Sequence, residues 1–508
     1  RSPSRGLGDV YKRQEFKGGK YDRDVFNLNL FHTINKENQS VVGIQRSDLT
    51  FKNNTWYINQ DRNKNNKFIF ENSFRDITID SLVMNHGNEE IRLSGAVRDS
   101  TYKDLKMEFS NVDLYKITPE IDSLDIGGRL NGKLDVLQEK GAYYPNTSMV
   151  IDSLSINKIL LGNMQLDVSG NENLTNYTVN ASLQKEDIES LSAIGNINVE
   201  GQQPTIDLTI DLQKLNVAAF SPLGGDVLSN IRGFASGSAT VTGNYKNPDF
   251  GGSLSLNNAG LTIPYLNVDI DFLNEAQVNL SQQKFVFDNI DIQDTKYKTK
   301  GVLDGSISHK NFSEWFLDLG ITTDRLLVLD TEAEEDALYY GTAFISGDAT
   351  IEGPTDQLKI EVNATTEKGT IFKIPLSDEE SVGDNSYIHF LTPEEKAARA
   401  AGEEIEIPEV KGIELVFDLD VTKDAEVEVV IDKTSGSTLR GRGAGNLLLE
   451  INTNGKFNMW GDFIVYEGVY NFKYAGLVQK VFNVKSGGSI NWDGNPLRAQ
   501  LDVSAVYS

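Results

Sequence analysis

The chain has 508 residues, with 48 Lys plus Arg against 74 Asp plus Glu, a formal charge of −26 and a sequence pI near 4.6. That acidity argues against nucleic acid or anionic headgroups as surface partners. The absence of cysteine excludes disulfides, thiolate catalysis and cysteine metal sites.

Residues 1–14 are basic, lack the pattern that follows and resemble a translated sequencing-adapter artefact, so they are read as a non-native segment. The start at Arg1 and the strand-like character up to Ser508 predict an internal fragment of a longer protein. No run approaches about 18 apolar residues, so this piece carries no transmembrane helix or signal peptide of its own.

Residues 15–230 read as a degenerate β-repeat. Ile79-Asp80-Ser81-Leu82, Ile121-Asp122-Ser123-Leu124 and Ile151-Asp152-Ser153-Leu154 look alike, and each is predicted to be a strand plus a tight turn. Ile206-Asp207-Leu208-Thr209-Ile210-Asp211-Leu212 alternates cleanly. Side chains on a strand point to opposite faces in turn, so this period gives one greasy face and one wet face. Val217 to Ile231 breaks the pattern with small apolar residues and Pro222, which predicts a short helix.

Residues 231–376 return to strand, including Val268-Asp269-Ile270-Asp271-Phe272. Between Phe285 and Ile292 the alternation changes phase, which predicts a bulge. Residues 377–411 form an acidic insertion expected to be a loop with one surface helix. Pro393 to Ala401 is its helix former, with Thr392 as cap and Gly402 as stop. Residues 412–508 alternate again through Leu415, Phe417, Leu419 and Val421, then Ala425, Val427, Val429 and Ile431.

Groups that carry chemistry do not converge. His32, His86, His309 and His389 are scattered outside any metal-ligand spacing. The many Asp residues match no calcium-loop pattern, and alternating Asp on a wet strand face explains them. Gly441-Arg442-Gly443-Ala444-Gly445 leads into strand residues rather than a helix, which leaves a glycine-bent β turn instead of a phosphate loop. No Gly-x-Ser-x-Gly elbow is present. The reading is a non-enzyme with no catalytic residue, cofactor or metal.

The final stretch carries a resemblance. Gly468-Val469-Tyr470-Asn471-Phe472 is followed by Phe482-Asn483-Val484, by Gly488-Ser489-Ile490-Asn491-Trp492 and by Pro496-Leu497. This resembles the C-terminal domain of the TamB family, the inner-membrane component of the translocation and assembly module, in a Bacteroidetes-type version. The motif residues are Gly468, Tyr470, Phe472, Gly488, Ile490, Trp492, Pro496 and Leu497. Phrases at Gly243 to Gly252, Ile263 to Asn267 and Tyr340 to Gly347 extend the likeness over 231–376, and residues 412–508 would be a truncated C-terminal domain.

The resemblance implies an all-β, elongated, U-shaped (taco-like) antiparallel groove with an apolar interior, as in AsmA-like and bridge-like lipid-transfer proteins. It implies a periplasm-spanning protein of a diderm bacterium, held to the inner membrane by an anchor expected in a missing N-terminal part. The implied partners are phospholipid acyl chains and an outer-membrane β-barrel insertase of the TamA/BamA type. On this reading Ile206, Leu208, Ile210 and Leu212 line one rung of the groove, and Val268, Ile270 and Phe272 another. Leu415, Phe417, Leu419 and Val421 line a third, and Val427, Val429 and Ile431, after Ala425, a fourth. Asp207, Asp269, Asp271, Asp418 and Asp420 face water. Roughly thirty strands about 4.8 Å apart would give a groove on the order of 100–150 Å long.

The expected function is a lipid conduit between inner and outer membranes that supports outer-membrane biogenesis. The alternative is a scaffold or chaperone for assembly or translocation of outer-membrane β-barrel proteins, acting through an exposed strand edge. An extracellular adhesin ranks last, since the wet face lacks aromatic rows.

Overall fold

A computed structural model describes residues 10–18, 24–62, 66–71, 75–98, 102–118, 124–139, 142–171, 175–200, 203–225, 227–310, 313–333, 337, 339–375, 412–432, 436–452, 456–474 and 478–507. Among them lie 33 strands, a helical turn at Leu114–Ile117 and 3-10 turns at Val217–Gly224, Pro264–Leu266 and Pro496–Arg498. The all-β class read from the alternation is the one that forms. The helix expected at Pro393 to Ala401, like His389, lies outside the described residues.

The chain divides into two compact units. The first comprises residues 1–225 and 232–254, the second residues 226–231 and 255–508.

In the first unit, strands adjacent in sequence pair antiparallel from Asp76–His86 onward, whereas before it Ser40–Ile44 pairs with Lys67–Glu71 and Asn54–Ile58 with Asp76–His86. Asn176–Lys185 pairs with Ile188–Asn198, that strand with Thr205–Asn216, and this in turn with Ser229–Asn244. The expected short helix after Asn216 forms as the 3-10 turn, and the Asn216 side chain accepts from the Ala218 N–H at 3.0 Å. Its buried Ala219 joins the helical-turn residue Leu114 in a core with Trp56, Ile91, Val112, Leu130, Leu154, Leu161 and Leu183. The turns thus contribute side chains to the core that the strands build.

In the second unit antiparallel pairing also dominates, with two parallel pairs among the described strands. Gln357–Thr366 runs parallel to Gly412–Val421, and Ile371–Pro375 runs parallel to Glu426–Asp432. Parallel neighbours need a crossover of about a dozen residues or more, and here residues 367–411 separate the first pair and residues 376–425 the second.

Long strands bend at bulges that recur from strand to strand. The register shifts between Ile79 and Leu82, between Ile151 and Leu154, and between Phe287 and Ile290. The first two brackets enclose the repeated Asp-Ser phrases. Those two phrases mark bends inside strands rather than turns between them, while Ile121 to Ser123 of the third lie outside the described residues. The phase change read at Phe285 to Ile292 is the third bulge, as expected.

A bulged residue is left off the ladder, and its freed N–H needs an acceptor. Asn111, Ser153, Lys214 and Asn289 all adopt left-handed φ of 50–54°. Their N–H groups donate to Asn131 Oδ1 (2.7 Å), Asn163 Oδ1 (2.9 Å), Ser236 Oγ (2.9 Å) and Asp304 Oδ1 (2.7 Å). A glycine flanks each acceptor on the neighbouring strand: Gly132, Gly162, Gly237 and Gly305. At Gly305 φ is +118°, and a Cβ would lie 2.2 Å from the Asp318 carbonyl oxygen, so only glycine permits the approach.

Gly441 to Gly445 belongs to the same class of feature. It is not a turn but the middle of strand Ser437–Asn452, with a register shift at Arg442/Gly443.

Candidate functional site

The bends divide each long strand of the second unit into two arms. Ser437–Asn452 shows this directly: residues 445–452 pair with Gly412–Val421, while residues 437–442 pair with Glu426–Asp432. Apolar side chains from both arms meet in one interior. Val362, Phe417, Leu419, Leu447, Leu449, Ile451 and Met459 come from one arm, and Leu329, Ala343, Phe372, Ile374 and Val427 from the other. Leu415, Ile451, Met459, Phe463 and Trp492 are buried in the adjoining core.

These side chains leave a cavity of about 80 Å³. Three rings lie between the arms. Tyr339 stacks on Phe372 with centroids 5.5 Å apart and meets Phe457 edge-on at 6.2 Å. Burial, with Tyr265 nearby as the second cause, pushes the Tyr339 phenol pKa well above its usual value.

Polar groups gather where the interior meets the bend. Thr366 Oγ1 accepts from the Thr422 N–H at 2.9 Å, and Thr370 Oγ1 accepts from the Phe344 N–H at 3.0 Å. The buried Glu426 carboxylate bonds Arg440 and lies 3.6 Å from Arg442. Each of these groups is held by the scaffold, and the arrangement offers an apolar surface rather than a reacting pair.

The expected rungs fall into different surroundings. Ile206, Leu208, Ile210 and Leu212 share one face of Thr205–Asn216 and are half-buried, while Asp207, Thr209 and Asp211 are exposed. Their cross-strand neighbours include Ala193, Ala239 and Val241. Val268 and Ile270 are buried in a packed cluster with Ile290, Ile292, Leu303, Leu326, Leu327 and Phe344, and Phe272 packs against it. Leu415 and Val421 are buried, whereas Phe417 and Leu419 are half-buried and line the cavity. Val427 also lines it, and Val429 faces a neighbouring void with Leu439 and Phe463. Ile431 is 39% exposed because it sits in the register shift between Val430 and Asp432.

On the wet face, Asp418 and Asp420 are exposed. Asp269 and Asp271 are half-buried instead, and Asp269 Oδ1 accepts from Thr262 Oγ1 at 2.6 Å.

The C-terminal motif residues are structural. Gly468 lets two strands approach, since a Cβ there would lie 2.9 Å from the Arg440 oxygen. Tyr470 contacts Phe472 and Phe482, and Phe482 contacts Tyr507, in a ladder of rings. Gly488 pairs with Val465, while Ile490 and Trp492 are buried in the core. Buried Pro496 opens the 3-10 turn that contains Leu497. The histidines are scattered: His32 contacts Ser40, His86 contacts the Thr55 carbonyl, and His309 packs between Phe285 and Trp315.

Sequence reasoning missed Tyr339, Phe372, Phe457 and Met459 as interior residues. Tyr339 precedes its strand and belongs to no alternating run, so periodicity carried no signal for it.

Residues 288–508 match the family model described as the TamB C-terminal domain. No curated protein and no solved structure matches the chain.

Proposed function

We propose, for a chain whose residues 288–508 match the TamB C-terminal domain, that the apolar interior carries phospholipid acyl chains between the inner and outer membranes. The family works in outer-membrane assembly, alongside the outer-membrane assembly machinery, as a periplasm-spanning envelope protein. The observation that supports the finer reading is the sidedness of its strands. Thr205–Asn216 presents four half-buried aliphatic side chains on one face and Asp or Thr on the other.

The energetics fit such a role. A buried methylene is worth about 0.8 kcal/mol, so a sixteen-carbon chain entering water costs roughly 10–13 kcal/mol. A continuous apolar surface lowers that barrier while the headgroup stays in solvent. Contacts of this kind have no preferred register, so a chain can slide along them.

The test is photolysis of purified protein with a phospholipid that bears a diazirine on its acyl chain, followed by mapping of the labelled residues. Labelling concentrated at Ile206 to Leu212 is expected. Labelling confined to the Asp-bearing outer face would end the proposal.

A second reading, as a scaffold for outer-membrane β-barrel proteins, draws on one feature. Val478–Val484 pairs along its length with Phe457–Tyr474, while on its other side only Phe482–Val484 meet a described strand. Val478 and Val481 are exposed on this strand. Such an edge suits β-augmentation of a client. Photocrosslinkers at Val478 that capture barrel proteins, with no lipid labelling elsewhere, would favour it.

A further inference from the structure

The interior of the second unit is too full to hold an acyl chain as it stands. A dry apolar void of about 150 Å³ accommodates one benzene, and the cavity between the arms is about 80 Å³. For a chain to lie there, side chains must move. Most of the lining belongs to strands paired on both sides: Phe417 and Leu419 sit on Gly412–Val421, which pairs with Gln357–Thr366 and with Ser437–Asn452. Phe372 sits on Ile371–Pro375, held by Tyr340–Pro354 and by Glu426–Asp432.

Tyr339 differs. It lies outside the ladder, one residue before the strand Tyr340–Pro354 begins. Its ring bridges the arms, because Phe372 belongs to one and Phe457, paired with Ile451, to the other. Its hydroxyl is shut away from solvent beside the Tyr265 side chain.

We infer that Tyr339 is a specificity-determining constriction of the apolar interior: its ring closes the gap between Phe372 and Phe457, and a single unbranched acyl chain enters only when that ring swings aside. This rests on the lipid reading above. The half-buried rung Ile206 to Leu212 is the reference, since among the described residues no such bridge of rings crosses its apolar face. Bulkier apolar ligands with fused rings, such as sterols, are excluded at Tyr339 because the flanking Phe372 and Phe457 are fixed by their strands.

The experiment uses the full chain and the same diazirine phospholipid, with the parent protein, Tyr339→Ala and Tyr339→Phe. In the parent, labelling falls mainly on Ile206 to Leu212. Tyr339→Ala should raise labelling at Phe417 to Val421 and Leu447 to Ile451 several-fold and leave the reference rung unchanged. Tyr339→Phe keeps the ring and should label as the parent does. Circular dichroism and thermal melts confirm that Tyr339→Ala remains folded; should it melt early, Tyr339→Leu, which shortens the bridge while keeping apolar volume, takes its place with the same expectation. Equal labelling of the interior in parent and variant overturns the constriction and leaves the lipid reading standing. Absence of labelling at both places in every variant overturns the lipid reading itself.

Discussion

The backbone N–H of Asn289 donates to Asp304 Oδ1 at 2.7 Å, tying a bulged residue on one strand to the position before Gly305 on the next. Asn111 with Asn131, and Lys214 with Ser236, repeat that relationship. The fold thus bends by a reusable device: one residue off the ladder, one side-chain acceptor, one glycine.

Removing the acceptor should loosen one bend without unfolding the unit. Asp304→Ala is expected to cost about 1 kcal/mol, while Asp304→Asn keeps the carbonyl oxygen and most of the stability. Hydrogen exchange of the Asn289 amide reads this directly. Unchanged exchange in Asp304→Ala would show that the bond contributes nothing.

The glycine should be less forgiving. At Gly305 a Cβ meets the Asp318 oxygen at 2.2 Å and φ is +118°, so Gly305→Ala is expected to cost about 2–3 kcal/mol. Gly320 is the control, since a Cβ there meets nothing within 4 Å. Thermal melts should separate the two variants, with Gly320→Ala neutral or slightly stabilising.

Acid should act on the first unit through Glu89. This buried carboxylate receives Lys116 Nζ at 2.5 Å, Arg129 Nη1 at 3.1 Å and the Asp113 N–H at 3.3 Å. Burial by itself raises its pKa, but these donors together hold the net value below the ordinary 4.5. A carboxyl with a depressed folded pKa stabilises fully above its unfolded value, and that contribution is lost as pH falls through the folded one. Glu89→Gln should therefore cost about 2 kcal/mol at neutral pH. It should also flatten the decline in stability below about pH 4.5. A steeper acid limb in the variant would contradict the sign.

Two charge insertions on nominally equivalent rungs should behave differently. Ile270 is 5% exposed within a packed cluster, so Ile270→Arg should unfold its surroundings, at about 4 kcal/mol or more. It cannot serve as a clean probe of transport. Leu208 is half-buried, so Leu208→Arg should stay folded at a cost of about 1 kcal/mol and abolish acyl-chain labelling on its rung. Circular dichroism checks the first outcome and diazirine labelling the second; a folded Leu208→Arg that labels like the parent would count against the lipid reading.

Much of this was legible from residues alone. Period-two alternation placed Ile206 to Leu212 and Leu415 to Val421 on single faces, because a strand's side-chain geometry is local. The bulge at Asp288-Asn289 was legible for the same reason, as a local break in phase. The difference between Ile270 and Leu208 was not. Both read as apolar members of alternating strands, and burial depends on which side chains arrive from elsewhere in the fold, such as Leu326 and Phe344 for Ile270. Asp152-Ser153 looked like a turn because Asp and Ser favour turns, and a bulge needs the same left-handed backbone. Tyr339 was invisible for want of any periodic context.

The two parallel pairings around Pro375 and Gly412 also set an order of assembly. Hairpins zip between residues close in sequence, whereas Gln357 must find Gly412 across the whole intervening segment. Closing so long a loop is entropically slow, and contact order governs folding rate. The strands before and after this seam should then form as separate meanders and join last. In pulse-labelling during refolding, amides within the hairpin of Ser437–Asn452 and Phe457–Tyr474 should gain protection before those of Gly412–Val421 that bond Gln357–Thr366. A nascent chain would thus spend its most exposed interval with two half-troughs and an apolar interior not yet shut.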